Sequence, residues 1–330
     1  MPEIDPAMAA ILAEIRRQDL PSYEAMGATE ARAESERRNA FWNRDPVPLA
    51  RVEDLELPPA TPGAPPLRAR LYAAEERPPG LLPCVLYLHG GGWVFCSPDT
   101  HDNVARRLVS AGADAAGAAA GAPAGFAVVS LDYGLAPERP FPHGLDDCAA
   151  ALAWLRREGA ALGLDPTRTA LAGDSAGANL ALALCLRLRD AGEPGPRAAA
   201  LVYGAFSDDF ESPSHAAFGN GDYILSTSMM RWFWDHYCPD PARRRDPHAA
   251  PLNADLRGLP PLYLSAAELD PLRDDTERLA RRLIDAGVPF DYRLWRGVTH
   301  ACFNMHRLLP AAEGFTAEVA GFLGRELGRR

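Results

Sequence analysis

From residue 83 onward, short apolar runs alternate with helix-like stretches, and this rhythm constrains the fold more than any other feature. Residues 83–88, 126–132, 169–172, 198–206, 261–267 and 290–295 read as strands. Residues 101–109, 146–157, 176–190 and 276–286 read as helices between them. Strands that are apolar on both faces and alternate with helices predict a mostly parallel sheet covered on both sides. Two earlier strands, 51–57 and 67–73, are separated by the Pro-rich loop 58–66 with no helix, which predicts an antiparallel edge. The expected fold is α/β, with about eight strands.

Two segments interrupt the rhythm. Residues 1–50 read as helical and carry no glycine-rich site motif. Residues 207–245 are rich in aromatics, among them Phe210, Phe218, Tyr223, Trp232, Phe233, Trp234 and Tyr237. Together the two are expected to form a helical lid over a core made of 51–206 and 246–330. The stretch 111–125 is almost entirely Ala and Gly and is expected to be an extended loop or a helix tail. The run Arg243-Arg244-Arg245 reads as a solvated face.

Composition narrows the chemistry. All 34 basic residues are Arg, so a Ser-Lys dyad, a Schiff base and a phosphate-loop Lys are excluded. The net charge of −10 argues against a nucleic-acid partner. No apolar run is long enough to span a bilayer, and residues 1–18 lack the pattern of a signal peptide. A soluble, cytoplasmic protein is expected. The six cysteines form no C-x-x-C pair, which removes zinc-ribbon and thioredoxin readings. Nothing in the sequence calls for a cofactor or metal, and nothing defines an oligomeric state.

The motif Gly173-Asp174-Ser175-Ala176-Gly177 follows one predicted strand and precedes a predicted helix. A sharp turn there needs small neighbours, and it would lift the Ser175 hydroxyl above the carboxyl edge of the sheet. Upstream, His89-Gly90-Gly91-Gly92 leaves another strand. Consecutive glycines let the backbone come close to a substrate and aim amide N–H groups at it. Gly91, Gly92 and Ala176 are therefore candidate oxyanion donors, with His89 bracing the loop. The competing reading, a phosphate loop, lacks the G-x-G-x-x-G spacing.

A serine hydroxyl needs a base, and in this architecture the acid and then the base follow the nucleophile. Of His215, His236, His248, His300 and His306, only His300 follows a core strand closely, through the predicted turn 296–298. The acid is assigned to Asp270 on the exit of the strand 261–267, with Glu268, Asp274 and Asp275 as rivals. Asp174, beside the nucleophile, is read as bracing the turn.

These residues, with Asp132-Tyr133-Gly134-Leu135-Ala136-Pro137-Glu138 and Asp270-Pro271-Leu272-Arg273-Asp274, resemble the hormone-sensitive-lipase-like group of α/β-hydrolases, the bacterial esterases with an H-G-G-G loop. The resemblance covers roughly residues 83–305. It implies a Ser175–His300–Asp270 triad, an oxyanion hole from Gly91, Gly92 and Ala176, and a small-molecule ester as substrate. The run Ser97-Pro98-Asp99-Thr100-His101-Asp102 and the ending His300-Ala301-Cys302 look most like acetyl-esterase members, which favour short acyl chains. Gly134 stands where that group usually has Arg, Cys302 where an aromatic usually follows the base, and 111–125 is an insertion. Amide or N-acetyl hydrolysis on the same triad, and a non-catalytic receptor on the same fold, are the alternatives.

Overall fold

The computed structural model describes residues 2–61, 63–76, 80–117 and 125–329. It opens with helices α1 (Pro6–Gln18) and α2 (Ala28–Asn39). The Asp5 side chain caps α1, accepting from the amides of Ala7 and Met8 at 2.8 and 3.1 Å. Strands β1 (Arg51–Leu57) and β2 (Leu67–Ala73) form the antiparallel edge. The alternating part follows: β3 (Leu82–Leu88), α3 (Asp102–Gly117), β4 (Ala127–Asp132), α4 (His143–Glu158), β5 (Leu164–Asp174), α5 (Ala176–Asp190) and β6 (Ala199–Val202). The insertion holds α6 (Pro213–Phe218) and α7 (Thr227–Tyr237). Strand β7 (Leu262–Leu269), α8 (Arg273–Ala286), β8 (Phe290–Thr299) and α9 (Ala311–Gly328) complete the chain.

The eight strands lie in the order β1-β2-β4-β3-β5-β6-β7-β8. From β4 to β8 every neighbouring pair is parallel. The period-two geometry of a strand divides its side chains between two cores. Cys84, Leu86 and Leu88 of β3 join one apolar cluster, with Leu145 and Leu152 of α4 and Leu180 and Leu184 of α5. Val85 and Tyr87 join the other, with Leu108 of α3 and Phe315 and Leu323 of α9. Central strands buried on both faces must be apolar throughout, and β3 is buried at all seven positions. The chain leaves β3 toward β4 on one side and returns past it to β5 on the other. The carboxyl ends of β3 and β5 thus flank a topological switch point, where open α/β sheets bind their ligands.

Several local expectations are revised. The segment 296–298 is no turn: β8 runs on to Thr299, with a register shift against β7 between Ala267 and Leu269. Gly297 takes φ 70° there and its amide donates to Glu268 Oε2 at 2.8 Å. Strand β6 stops at Val202 rather than continuing to Phe206. The Ala/Gly stretch begins as the tail of α3, and residues 118–124 lie outside the described residues. Arg244 is buried rather than solvated, donating to the Cys238 carbonyl and pairing with Asp235 at 2.7 Å. No helix among the described residues is long and apolar enough to cross a membrane.

Candidate active site

Ser175 sits between the end of β5 and the start of α5 with φ 53° and ψ −118°. Its amide is tied to the Val202 carbonyl at 2.8 Å, which locks the turn against β6. The turn closes only because Gly177 has no side chain: a Cβ there would overlap the Leu88 carbonyl oxygen. The strand-to-helix turn expected from the motif is present, and the hydroxyl stands at the N-terminus of α5, where the helix dipole favours negative charge.

His300 follows β8 directly, and Ala301 beyond it turns through φ 62°. Its Nε2 lies 2.9 Å from Ser175 Oγ, and its Nδ1 lies 2.7 Å from Asp270 Oδ2. Asp270 is fully buried, and its other oxygen accepts the Leu272 amide at 2.9 Å. A carboxylate held at both oxygens fixes the orientation and tautomer of the ring it meets. The Tyr203 ring packs on His300 with centroids 4.6 Å apart, a contact that no pattern in the sequence marks.

The loop after β3 lies beside this serine. Gly91 takes φ 113° and Gly92 φ 60°. Among the described residues the amides of Gly91, Gly92 and Ala176 have no backbone acceptor. The His89 ring stacks on Tyr133 at 4.4 Å, with Nδ1 2.7 Å from the Gly90 carbonyl. Burial, helped by nearby His101, pushes the His89 pKa down to about 3, so the ring is neutral. Asp174 Oδ1 accepts the Tyr87 hydroxyl at 2.6 Å and the Gly90 amide at 2.9 Å. Asp174 therefore ties the serine turn to the glycine loop.

The rival residues are occupied elsewhere. Glu268 holds the Gly297 amide. Asp274 accepts the Ser214 amide at 2.9 Å, and Asp275 the amides of Phe206 and Ser207 at 2.8 and 2.9 Å. His215 binds Thr227, His236 the Trp232 carbonyl, and His306 Thr316. His248 faces Asp190 and Asp246. Cys302 is fully buried in the core cluster that holds α9, so it does not form an open pocket wall.

A serine on a strand-to-helix turn, joined to a histidine and a buried aspartate at the carboxyl edge of a parallel sheet, defines a hydrolase. Residues 85–304 match the family described as alpha/beta hydrolase fold, and the chain belongs to that family. The likeness to the hormone-sensitive-lipase-like group holds as well. The chain is 40% identical to carboxylesterase NlhH of Mycobacterium tuberculosis over 251 residues, 74% of each chain. It is 33% identical to an ethyl acetate hydrolase of Pseudomonas putida over 297 residues, 89% of this chain and 88% of that one. A hyperthermophilic esterase from the archaeon Pyrobaculum calidifontis superposes with a TM-score of 0.89 at 33% identity, covering 99% of this chain and all of that one.

Proposed function

We propose that the protein is a serine carboxylesterase that hydrolyses short-chain, acetyl-like esters through a Ser175–His300–Asp270 triad. The observation that carries this reading is the unbroken relay from Ser175 Oγ to His300 Nε2 at 2.9 Å and from His300 Nδ1 to Asp270 at 2.7 Å. His300 takes the hydroxyl proton as Ser175 attacks the ester carbonyl, while Asp270 stabilises the imidazolium that forms. The amides of Gly91, Gly92 and Ala176 receive the oxyanion. Each such donor is worth about 2.7–4 kcal/mol in the transition state. His300 then passes the proton to the leaving alcohol, and a water activated by the same ring releases the acid.

The lid is part of the proposal. The Phe233 ring of α7 covers Gly92 so closely that a Cβ on that glycine would overlap it. Trp93, next in the loop, stacks on Tyr237 of α7 at 4.2 Å. Glu24 accepts from Ser228 at 2.8 Å, joining residues 1–50 to the insertion 207–245. Ser175 is only 8% exposed beneath this cover. A tight aromatic ceiling beside the oxyanion loop supports small acyl groups, as does the likeness to the ethyl acetate hydrolase.

The test is a chain-length series of p-nitrophenyl esters, with the Ser175→Ala variant measured alongside. We expect kcat/KM to peak at acetate to butyrate and to fall on the order of 10⁴–10⁶-fold in the variant. A maximum at long acyl chains overturns the short-acyl reading, and undiminished turnover by Ser175→Ala overturns the triad.

A further inference from the structure

Beneath the glycine loop lies a chain of buried polar groups that the reaction itself does not use. Its centre is Asp174, a carboxylate 4% exposed. A buried carboxylate must be paired or give up its charge. Among the described residues, the basic side chain within ion-pair distance of it is His101, whose Nε2 lies 3.5 Å from Asp174 Oδ1. His89, the other imidazole nearby, is neutral for the reason given above and has its Nδ1 on the Gly90 carbonyl.

The His101 ring is held at both ends. Its Nδ1 lies 2.9 Å from Thr100 Oγ1. The same hydroxyl bonds the Ser97 carbonyl at 2.8 Å, which anchors this end of the ring. At the other end Nε2 lies 3.1 Å from the Asn304 side-chain amide. Among the described residues this is the only hydrogen bond of the Asn304 side chain, and its Oδ1 is buried without a partner. Asn304 ends the short turn Cys302–Asn304, immediately past His300.

We infer that His101 is a positioning residue: it ties Asp174, and through it the Gly90 amide of the oxyanion loop, to Asn304 on the turn that follows His300. The oxyanion donors leave β3 and the base leaves β8, at distant places in the sheet. Acyl transfer needs the two held to a fraction of an ångström of one another. The chain Gly90–Asp174–His101–Asn304 is a polar link between them. The inference rests on the oxyanion role proposed for the loop.

Loss of this link has a signature in pH. Burial pushes the Asp174 carboxyl up, but facing His101 and the Tyr87 hydroxyl outweigh it, and the net direction is down. The other titratable groups facing Asp174 are Tyr87 from β3, His89 and Cys96 from the loop after it, Tyr133 after β4, Tyr203 after β6 and Cys302 beyond His300. The tyrosines and cysteines are all pushed up by burial and stay neutral. Without His101 the burial of Asp174 is offset less, and its carboxyl takes up a proton at higher pH. A protonated Asp174 holds the Gly90 amide less firmly.

The experiment measures hydrolysis of p-nitrophenyl acetate against pH by the wild type, His101→Gln, Asn304→Ala and the double variant, with thermal melts of each. In His101→Gln, kcat is expected to fall about tenfold or more with KM within about threefold. The acid limb of its kcat profile moves to higher pH and steepens toward a two-proton slope. Asn304→Ala lowers kcat in the same direction, and the double variant is no worse than His101→Gln alone, because linked residues do not act additively. An acid limb unchanged in position and slope, or fully additive losses, overturns the inference. Labelling of wild-type Ser175 by a fluorophosphonate keeps the two readings apart: failure to label overturns the serine-esterase reading itself, whereas labelling with an unaltered His101→Gln profile overturns only the link.

Discussion

Ser175 holds a backbone conformation that side-chain-bearing residues avoid, at a cost of roughly 1–3 kcal/mol. The surrounding contacts enforce it, and the tightest is the approach of Gly177 to the Leu88 carbonyl. Gly177→Ala pushes α5 away from β3, since backbone rather than a movable side chain stands in the way. We expect about 1–3 kcal/mol of destabilisation, a Tm lower by a few degrees, and a loss of kcat larger than the folded fraction explains. A variant with wild-type Tm and kcat would refute the close approach as the reason for the glycine. That Ser175, His300 and Asp270 would meet was legible in the sequence, because acyl-transfer chemistry needs particular residue types in a particular chain order after particular strands. Asp270, on the exit of β7, is the carboxylate that meets His300, whereas Asp274 and Asp275 meet amides of the insertion and its entrance, contacts that the run Asp270-Pro271-Leu272-Arg273-Asp274-Asp275 does not spell out. Arg244 was misread for the same reason. A run of three arginines looks solvated, yet its middle member turns inward onto the Cys238 carbonyl.

Elements meet through single side chains as well as through packed faces. Asp275 lies in the first turn of α8, and its Oδ2 accepts two amides at the point where the chain enters the insertion. Burial outweighs those two bonds and pushes its pKa from 3.8 up to about 8. A carboxyl whose pKa rises on folding gives its full stabilisation below the unfolded value and loses it as pH climbs through the folded one. The wild type therefore bears an increasing penalty from about pH 4 to pH 8 that Asp275→Asn, which retains an oxygen acceptor, does not. The difference in Tm between variant and wild type should shift in favour of the variant as pH rises across that window; a difference independent of pH would show that Asp275 stays ionised. The alternation of strands and helices was readable from apolar runs, whereas the bulge of β8 was not. Arg296-Gly297-Val298 has turn-like composition, and its pairing depends on Glu268 reaching across from β7 to the Gly297 amide. Gly134, unusual for this group, also has a local reason. A Cβ there would overlap Arg139, which sits in that space and pairs with buried Asp147 at 2.7 Å.

Across the whole molecule, the segments farthest apart in sequence converge on one loop. Strand β3 sends out the glycines, the insertion lays Phe233 over Gly92 and Tyr237 against Trp93, and the first fifty residues hold the far side. Arg32 of α2 makes that last joint: its Nε donates to the Val94 carbonyl at 2.7 Å and Nη2 to the Ala136 carbonyl at 2.6 Å, while Nη1 meets Glu138 at 2.9 Å. None of this was visible in sequence, where residues 1–50 showed only helical character and no motif. A guanidinium serving two loops depends on their meeting in space. Arg32→Ala removes both carbonyl contacts and leaves the fold of the sheet untouched. The side chain is partly exposed, so the cost should be modest, roughly 1–2 kcal/mol. The effect should be local. Amide exchange is expected to speed up in α2, in the 93–96 segment and in α7, while the central strands β3 to β6 keep their protection. If the proposed cover is what confines the acyl site, the same variant should accept longer p-nitrophenyl esters relative to acetate. Faster exchange in α2 with an unchanged chain-length profile would mean that residues 1–50 support the core without shaping what reaches Ser175.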